Sequence, residues 1–144
     1  MMTGAASQTL HATSVAIGGR AVLLHGPSGA GKSDLALRLI DRGAVLVSDD
    51  YTILTAEGGR LIAAAPATIA GRMEVRGVGL VDMPHQDGAP VALIAHLGGV
   101  AERLPAEGES RRFAGIDIPL VHIAALEASA PIKVELALKA MGRA

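Results

Sequence analysis

Cysteine and tryptophan are both missing from the 144 residues. The missing thiol excludes a disulfide framework, a cysteine nucleophile and a Cys-ligated zinc site. It suits a reducing compartment, so a cytoplasmic location is expected. Aromatic residues are nearly absent as well: Tyr51 and Phe113 stand alone. With no base-stacking platform and a formal net charge of −1, neither nucleic acid nor an anionic membrane is an expected partner. Every apolar run is broken well short of the roughly 18 residues a membrane helix needs. The first ten residues lack the charged start and apolar core of a signal peptide.

What is present is aliphatic. Half of the residues are hydrophobic, so the core must be built from Ala, Val, Leu and Ile. The length is that of one domain, expected to run over residues 1–144. A chain of this size buries roughly 68–70% of its unfolded surface and needs no disulfide or metal to hold it.

The most informative run is Gly26-Pro27-Ser28-Gly29-Ala30-Gly31-Lys32-Ser33. It fits the pattern Gly-x-x-x-x-Gly-Lys-[Ser/Thr] of a phosphate-binding loop. Glycines let the backbone N–H groups converge on phosphate oxygens. Lys32 carries the charge that reaches the β/γ-phosphates, and the Ser33 hydroxyl is a Mg²⁺ ligand. The context agrees. Ala21 to His25 reads as a buried strand before the loop, and Ser33 to Arg42 as a helix after it. Asp34, Arg38, Asp41 and Arg42 share one polar face of that helix, and Gly43 stops it. A glycine-rich turn with a chance lysine is the bland reading, and it fails to explain this flanking pattern.

The rest of the chain reads mostly as strand. Residues 1–10 are expected to be mobile or an edge. Thr13 to Ile17 is a strand, with Gly18-Gly19 turning into the next. Val45-Leu46-Val47 completes a strand–helix–strand unit, so it is expected to lie beside Ala21–His25 as a parallel neighbour. Tyr51–Leu54 and Arg60–Ala63 flank Glu57-Gly58-Gly59 as a hairpin. Pro84 to Gly88 is a turn, Val91 to Leu97 a strand, and Arg103 to Arg112 a polar loop. Ile116 to Ile123 contains Pro119 and is expected at an edge. Lys133 to Met141 reads as a short helix ending at Gly142. The fold class is therefore α/β: a phosphate-loop domain with a mixed, strand-rich sheet and few helices.

Asp49 and Asp50 end the Val45–Val47 strand, at the sheet edge where ligands bind beside the phosphate loop. A carboxylate there can hold Mg²⁺ or accept a proton from an attacking hydroxyl. Two close carboxylates also push their proton affinities apart, which separates base from acid; which of the two is the base stays open. Met73-Glu74-Val75-Arg76-Gly77-Val78-Gly79-Leu80-Val81-Asp82 alternates like a half-buried strand, and its glycines permit close backbone approach. His11 and Arg103 belong to no local motif. An arginine in a polar loop can stabilise charge on a transferring phosphoryl group.

Taken in order, these pieces resemble the catalytic domain of the bacterial HPr kinase/phosphorylase family. His11 precedes a two-strand lead-in, then come Gly26–Ser33, the helix ending at Arg42-Gly43, and the Asp49-Asp50 pair. The run from Met73 to Asp82 is similar to the family's Leu-Glu-Ile-Arg-Gly-Leu-Gly-Ile signature, and Glu102-Arg103-Leu104 to its later Asp-Arg-Leu. The resemblance covers about residues 11–133 and is to the short, catalytic-domain-only form. It implies an ATP-dependent protein-serine kinase whose partner is an HPr-like phosphocarrier. It also implies a homo-oligomer, since related members form hexamers. By resemblance Gly26, Pro27, Ser28, Gly29, Ala30, Gly31, Lys32 and Ser33 hold the nucleotide. Ser33 and Glu74 ligate Mg²⁺. Asp49 and Asp50 supply acid and base, with His11 and Arg103 completing the site.

The sequence departs from the family near its end. The usual Pro-Val-[Arg/Lys]-Val-Gly-Arg-Asn loop becomes Pro131-Ile132-Lys133-Val134-Glu135, without Gly-Arg-Asn. That loop serves dephosphorylation in the family, so phosphorolysis is expected to be weak or absent. Two other readings compete: a small-molecule phosphotransferase of similar fold, and a nucleotide-sensing module without turnover. A GTPase is disfavoured because no Asn-Lys-x-Asp run is present.

Overall fold

Alternation along one short strand organises the core. In Arg20–His25, Val22 and Leu24 point into one apolar cluster while Ala21 and Leu23 point into another, as the two-residue period of a strand requires. Helices cover the first face and further strands the second. A sheet buried on both sides explains why Ala21 to Leu24 is apolar without interruption.

The computed structural model describes residues 7–98 and 108–144. In chain order these form β1 (Ser7–Leu10), β2 (Ala12–Ile17), β3 (Arg20–His25), α1 (Lys32–Asp41), β4 (Val45–Ser48), β5 (Thr52–Glu57), β6 (Arg60–Ala64), β7 (Arg72–Val75), β8 (Gly79–Asp82), β9 (Ala89–Leu97), β10 (Ser110–Phe113), β11 (Ile116–Ile123) and α2 (Ala130–Met141). The main sheet runs β1-β5-β6-β9-β3-β2-β4, with β11 added beside β9 and β10 beside β11. β3, β9 and β11 are mutually parallel; the other pairings in the sheet are antiparallel. The result is the mixed α/β, strand-rich sheet with two helices that the sequence implied.

α1 lays Leu35, Ala36 and Leu39 on the sheet. α2 adds Val134 and Leu138, and Pro131 sits in its first turn, where its missing N–H costs nothing. Arg42 and Glu135 join the two helices through a forked ion pair, closest at 2.7 Å. On the opposite face Leu54, Leu61, Ile94, Phe113 and Ile118 are buried.

Four expectations change. β4 is parallel to β3 in direction but is not its neighbour: β2 lies between them, antiparallel to both. The Gly18-Gly19 hairpin places β2 against β3 before the helix can return, so the crossover must step over it. The Met73–Asp82 run is not one strand but a hairpin of β7 and β8, turning where the Val78 N–H donates to Val75 O at 2.9 Å. Ser110–Arg112, expected at the end of a loop, belong to β10. α2 begins three residues before Lys133. Two other expectations gain detail. Residues 7–10 form β1 at the end of the sheet path. β11 changes neighbours at Pro119: Ile116–Pro119 pair with β10 and Leu120–Ile123 with β9, as a residue lacking a ladder donor permits.

Candidate functional site

The loop Gly26–Ser33 leaves β3 at the C-terminal edge of the parallel strands and feeds α1. Two glycines are required by geometry. A Cβ on Gly26 would collide with the carbonyl oxygen of Leu97 on β9, so this position fixes how closely the loop packs on the sheet. Gly31 is the N-cap of α1 in a left-handed conformation, φ 95°, which a side chain would disfavour. Lys32 is only 7% exposed. Its ammonium donates to Gly26 O at 2.8 Å and Pro27 O at 3.0 Å. The charge is thus held across the mouth of the loop.

Asp49 lies behind the loop and is 7% exposed. Its Oδ1 accepts from the Ser33 hydroxyl at 2.6 Å and from the Thr13 hydroxyl at 3.1 Å. Its Oδ2 accepts from the Glu74 N–H at 3.2 Å. One carboxylate therefore ties together α1, β2 and β7. Asp50 turns the other way. It has φ 69°, its N–H donates to the Thr13 hydroxyl at 3.1 Å, and its Oδ1 meets His11 Nε2 at 2.9 Å. His11 in turn stacks on Tyr51, with ring centroids 4.9 Å apart.

Around the loop opens a cavity of about 1010 Å³. Lys32, Ser33, Asp50, His11 and Glu74 line it, with the β7–β8 turn on one wall and Leu126 on another. Val78, Leu80 and Leu126 are apolar, yet 75%, 73% and 83% exposed. The structure brings His11, Gly26–Ser33, Asp49, Asp50 and Glu74 to one place. Arg103 lies outside the described residues. Sequence reasoning missed Thr13, which serves both aspartates, and Tyr51, which supports His11. The signal for Thr13 was faint: a Thr-Ser pair inside an otherwise apolar strand, fully buried in the fold.

The arrangement offers glycine-rich loop backbone, the cations Lys32 and Arg76, and hard oxygen donors. Ser33 and the carboxylates suit a small divalent ion such as Mg²⁺, which keeps several waters and needs few protein ligands.

Comparison with known proteins places this geometry in a family. The model of the HPr serine kinase C-terminal domain matches residues 3–134. A relative from Levilactobacillus brevis, named HPr kinase/phosphorylase, is 33% identical over 129 residues, 81% of this chain and 42% of its own length. A protein of the same name from Pelodictyon phaeoclathratiforme is 35% identical over 130 residues, 81% of this chain and 39% of its own length. The chain thus spans about two fifths of these relatives. A solved structure of the HPr(Ser) kinase/phosphatase from Coxiella burnetii superposes with a TM-score of 0.78 at 28% identity, covering 92% of this chain and 94% of that one. The chain belongs to the HPr serine kinase C-terminal domain family.

Proposed function

We propose that this member of the family is an ATP-dependent protein-serine kinase acting on an HPr-like phosphocarrier, with residues 1–144 as one catalytic domain. The observation that carries the reading is the split between the two aspartates. Asp49 is occupied by Ser33, Thr13 and the Glu74 amide. Asp50 faces the cavity with His11 as its side-chain partner.

The Gly26–Ser33 loop holds the nucleotide phosphates, and Lys32 moves its charge from the loop carbonyls to the phosphoryl oxygens. Ser33 and Glu74 would hold Mg²⁺, with Asp49 orienting the Ser33 hydroxyl and the Glu74 backbone. When bound, the ion would supply neutralisation of phosphoryl charge. Asp50, held by His11, takes the proton of the acceptor serine. The serine oxygen then bonds to the γ-phosphorus as the bond to the β-phosphate oxygen breaks and ADP leaves. A loose phosphoryl transition state needs positioning and cations more than covalent help. Arg103, in the segment after β9, is proposed to complete the site. The missing Gly-Arg-Asn in α2 supports forward transfer over phosphorolysis.

The test is incubation with γ-labelled ATP, Mg²⁺ and an HPr homologue from the same genome. Label on one serine of the carrier is the expected result. ATP binding without transfer to any protein or small molecule would leave only a nucleotide sensor. Lys32→Ala should abolish transfer and weaken nucleotide binding roughly 10–100-fold, the worth of a charge-assisted contact, with an unchanged thermal melt. Unaltered turnover in that variant would overturn the role of the loop.

A further inference from the structure

Four of the five histidines stand along one edge of the sheet, and the reading above uses only His11. β3, β9 and β11 are parallel, and their registers align His25 with His96 and His96 with His122. His11 precedes β2, whose first residue, Ala12, pairs with His25. The edge is the C-terminal one of the parallel strands, where α/β sheets take ligands.

The ring geometry is specific. His25 Nδ1 and His96 Nδ1 face each other at 3.3 Å. One must donate and the other accept, so one ring carries its proton on Nδ1 and the other on Nε2. Both Nε2 atoms point away from the shared bond, one as an N–H donor and one bare. The pair can take one further proton on the bare Nε2 without losing the bond. A second would place two protons between the facing Nδ1 atoms and break it. His122 meets His96 edge-on, with ring centroids 5.5 Å apart. It is anchored by Glu109 at 3.0 Å.

The surroundings are cationic. Burial lowers the proton affinity of His25 below its usual value, and the neighbouring Arg111 guanidinium, His96 imidazole, Lys32 ammonium and His11 imidazole lower it further. Arg111 reaches in from β10, over the ring of Phe113 at 4.8 Å. The carboxylates sit at the two ends of the row: Glu109 engaged with His122, and Asp50 with His11. No group of three or more His, Asp or Glu among the described residues is placed to hold a metal ion. A row of donors in a positive field, lacking a metal-ligand set, is suited to an anion.

We propose that the outer edges of His25 and His96, with Arg111, bind a phosphomonoester or inorganic phosphate, at a subsite separate from the nucleotide loop. A dianionic phosphoryl group accepts the Nε2–H and the guanidinium hydrogens, and it stabilises the one extra proton the pair can take. Binding therefore raises the proton affinity of His25 from its lowered value, and is accompanied by proton uptake in the weakly acid range, at most about half a proton for a one-unit rise. The subsite does not depend on phosphoryl transfer, so it stands or falls apart from the kinase reading.

The experiment uses Lys32→Ala, with Lys32→Met as a second form, to weaken phosphate binding at the loop. The imidazole C2–H signals are followed by NMR during titration with inorganic phosphate and with O-phosphoserine. Sodium chloride at matched ionic strength is the control. The expected result is a saturable shift of His25 and His96 and a rise in the protonation midpoint of His25 by roughly one unit. His96→Gln and Arg111→Gln should each abolish the shift. Tighter binding of O-phosphoserine marks a protein-borne phosphoryl group as the source; tighter binding of phosphate marks the free ion. A response no different from that to chloride overturns the subsite, as does a shift that survives both substitutions. Wild-type protein that fails to transfer phosphate to the carrier while the phosphate shift persists would sink the enzyme reading alone.

Discussion

Asp49 and Asp50 are adjacent in the chain and opposite in their surroundings. The first is almost fully buried and accepts three protein hydrogen bonds. The second has a side chain 60% exposed, paired with a histidine that is itself 41% exposed. The cause is a single backbone torsion. Asp50 adopts the left-handed region, so the chain turns sharply after β4 and the two side chains leave in different directions. That conformation costs about 1–2 kcal/mol for an ordinary residue. The turn is held by the Tyr51 N–H on Asp49 O at 2.8 Å and by the Thr13 hydroxyl on the Asp50 N–H. The lesson is a division of labour. A carboxylate saturated by protein donors orients its neighbours, while one facing a cavity is available to a proton.

Asparagine at position 50 should have the largest effect. It keeps the shape and removes the carboxylate proposed as the base, so transfer should fall roughly 10²–10⁴-fold. Nucleotide affinity and melting temperature should stay as they are. Equal losses in rate and in nucleotide affinity would show that the two aspartates do not divide their roles.

Asp49→Asn should act differently. An amide cannot accept from Ser33, Thr13 and the Glu74 N–H together, so a buried donor is left unmet. We expect a stability loss of about 1–3 kcal/mol, read by denaturant unfolding. The Mg²⁺ concentration needed for half-maximal transfer should also rise. An Asp49→Asn protein with wild-type stability would make the inner carboxylate no more structural than the outer one.

Thr13→Val sharpens the comparison because its hydroxyl serves both aspartates. Shape is kept and two hydrogen bonds are lost, so about 1 kcal/mol of stability should go. The transfer rate should fall as well, since Asp50 loses the contact that fixes its backbone. A stability change without any rate change would confine Thr13 to the inner corner.

The smallest effect should come from His25, on the imidazole side of the same edge. Burial holds its proton affinity below the ordinary value of 6.5. The unfolded chain therefore binds the proton more readily than the folded one. Stability is fully present above pH 6.5 and is lost as the pH falls through that value and through the lower folded one. Melting temperatures taken between about pH 8 and pH 5 should fall less steeply in His25→Gln than in the wild type. Parallel curves would remove His25 as a source of the slope.

Much of the site could be read from local pattern. Gly26–Ser33 announced itself because a phosphate loop needs glycines, a lysine and a hydroxyl at fixed offsets between a strand and a helix. The Gly58-Gly59 turn and the end of α2 at Gly142 were legible for the same kind of reason: the backbone constraint lies within a few residues. The Met73–Asp82 run misled because alternation is the same in one strand or in two. Only the turn at Arg76–Val78 divides them, and glycines at 77 and 79 fit either reading.

The sequence by itself determined the strand–loop–helix unit, the carboxylate pair at the end of β4 and the aliphatic character of the core, because each rests on composition or on the pattern of neighbouring residues. The tertiary structure alone decided that β2 lies between β3 and β4. It alone brought Thr13 to Asp49 across 36 positions and His25 to His96 across 71. Strand register and order are set by which distant faces bury each other, and no local pattern of residues encodes that choice.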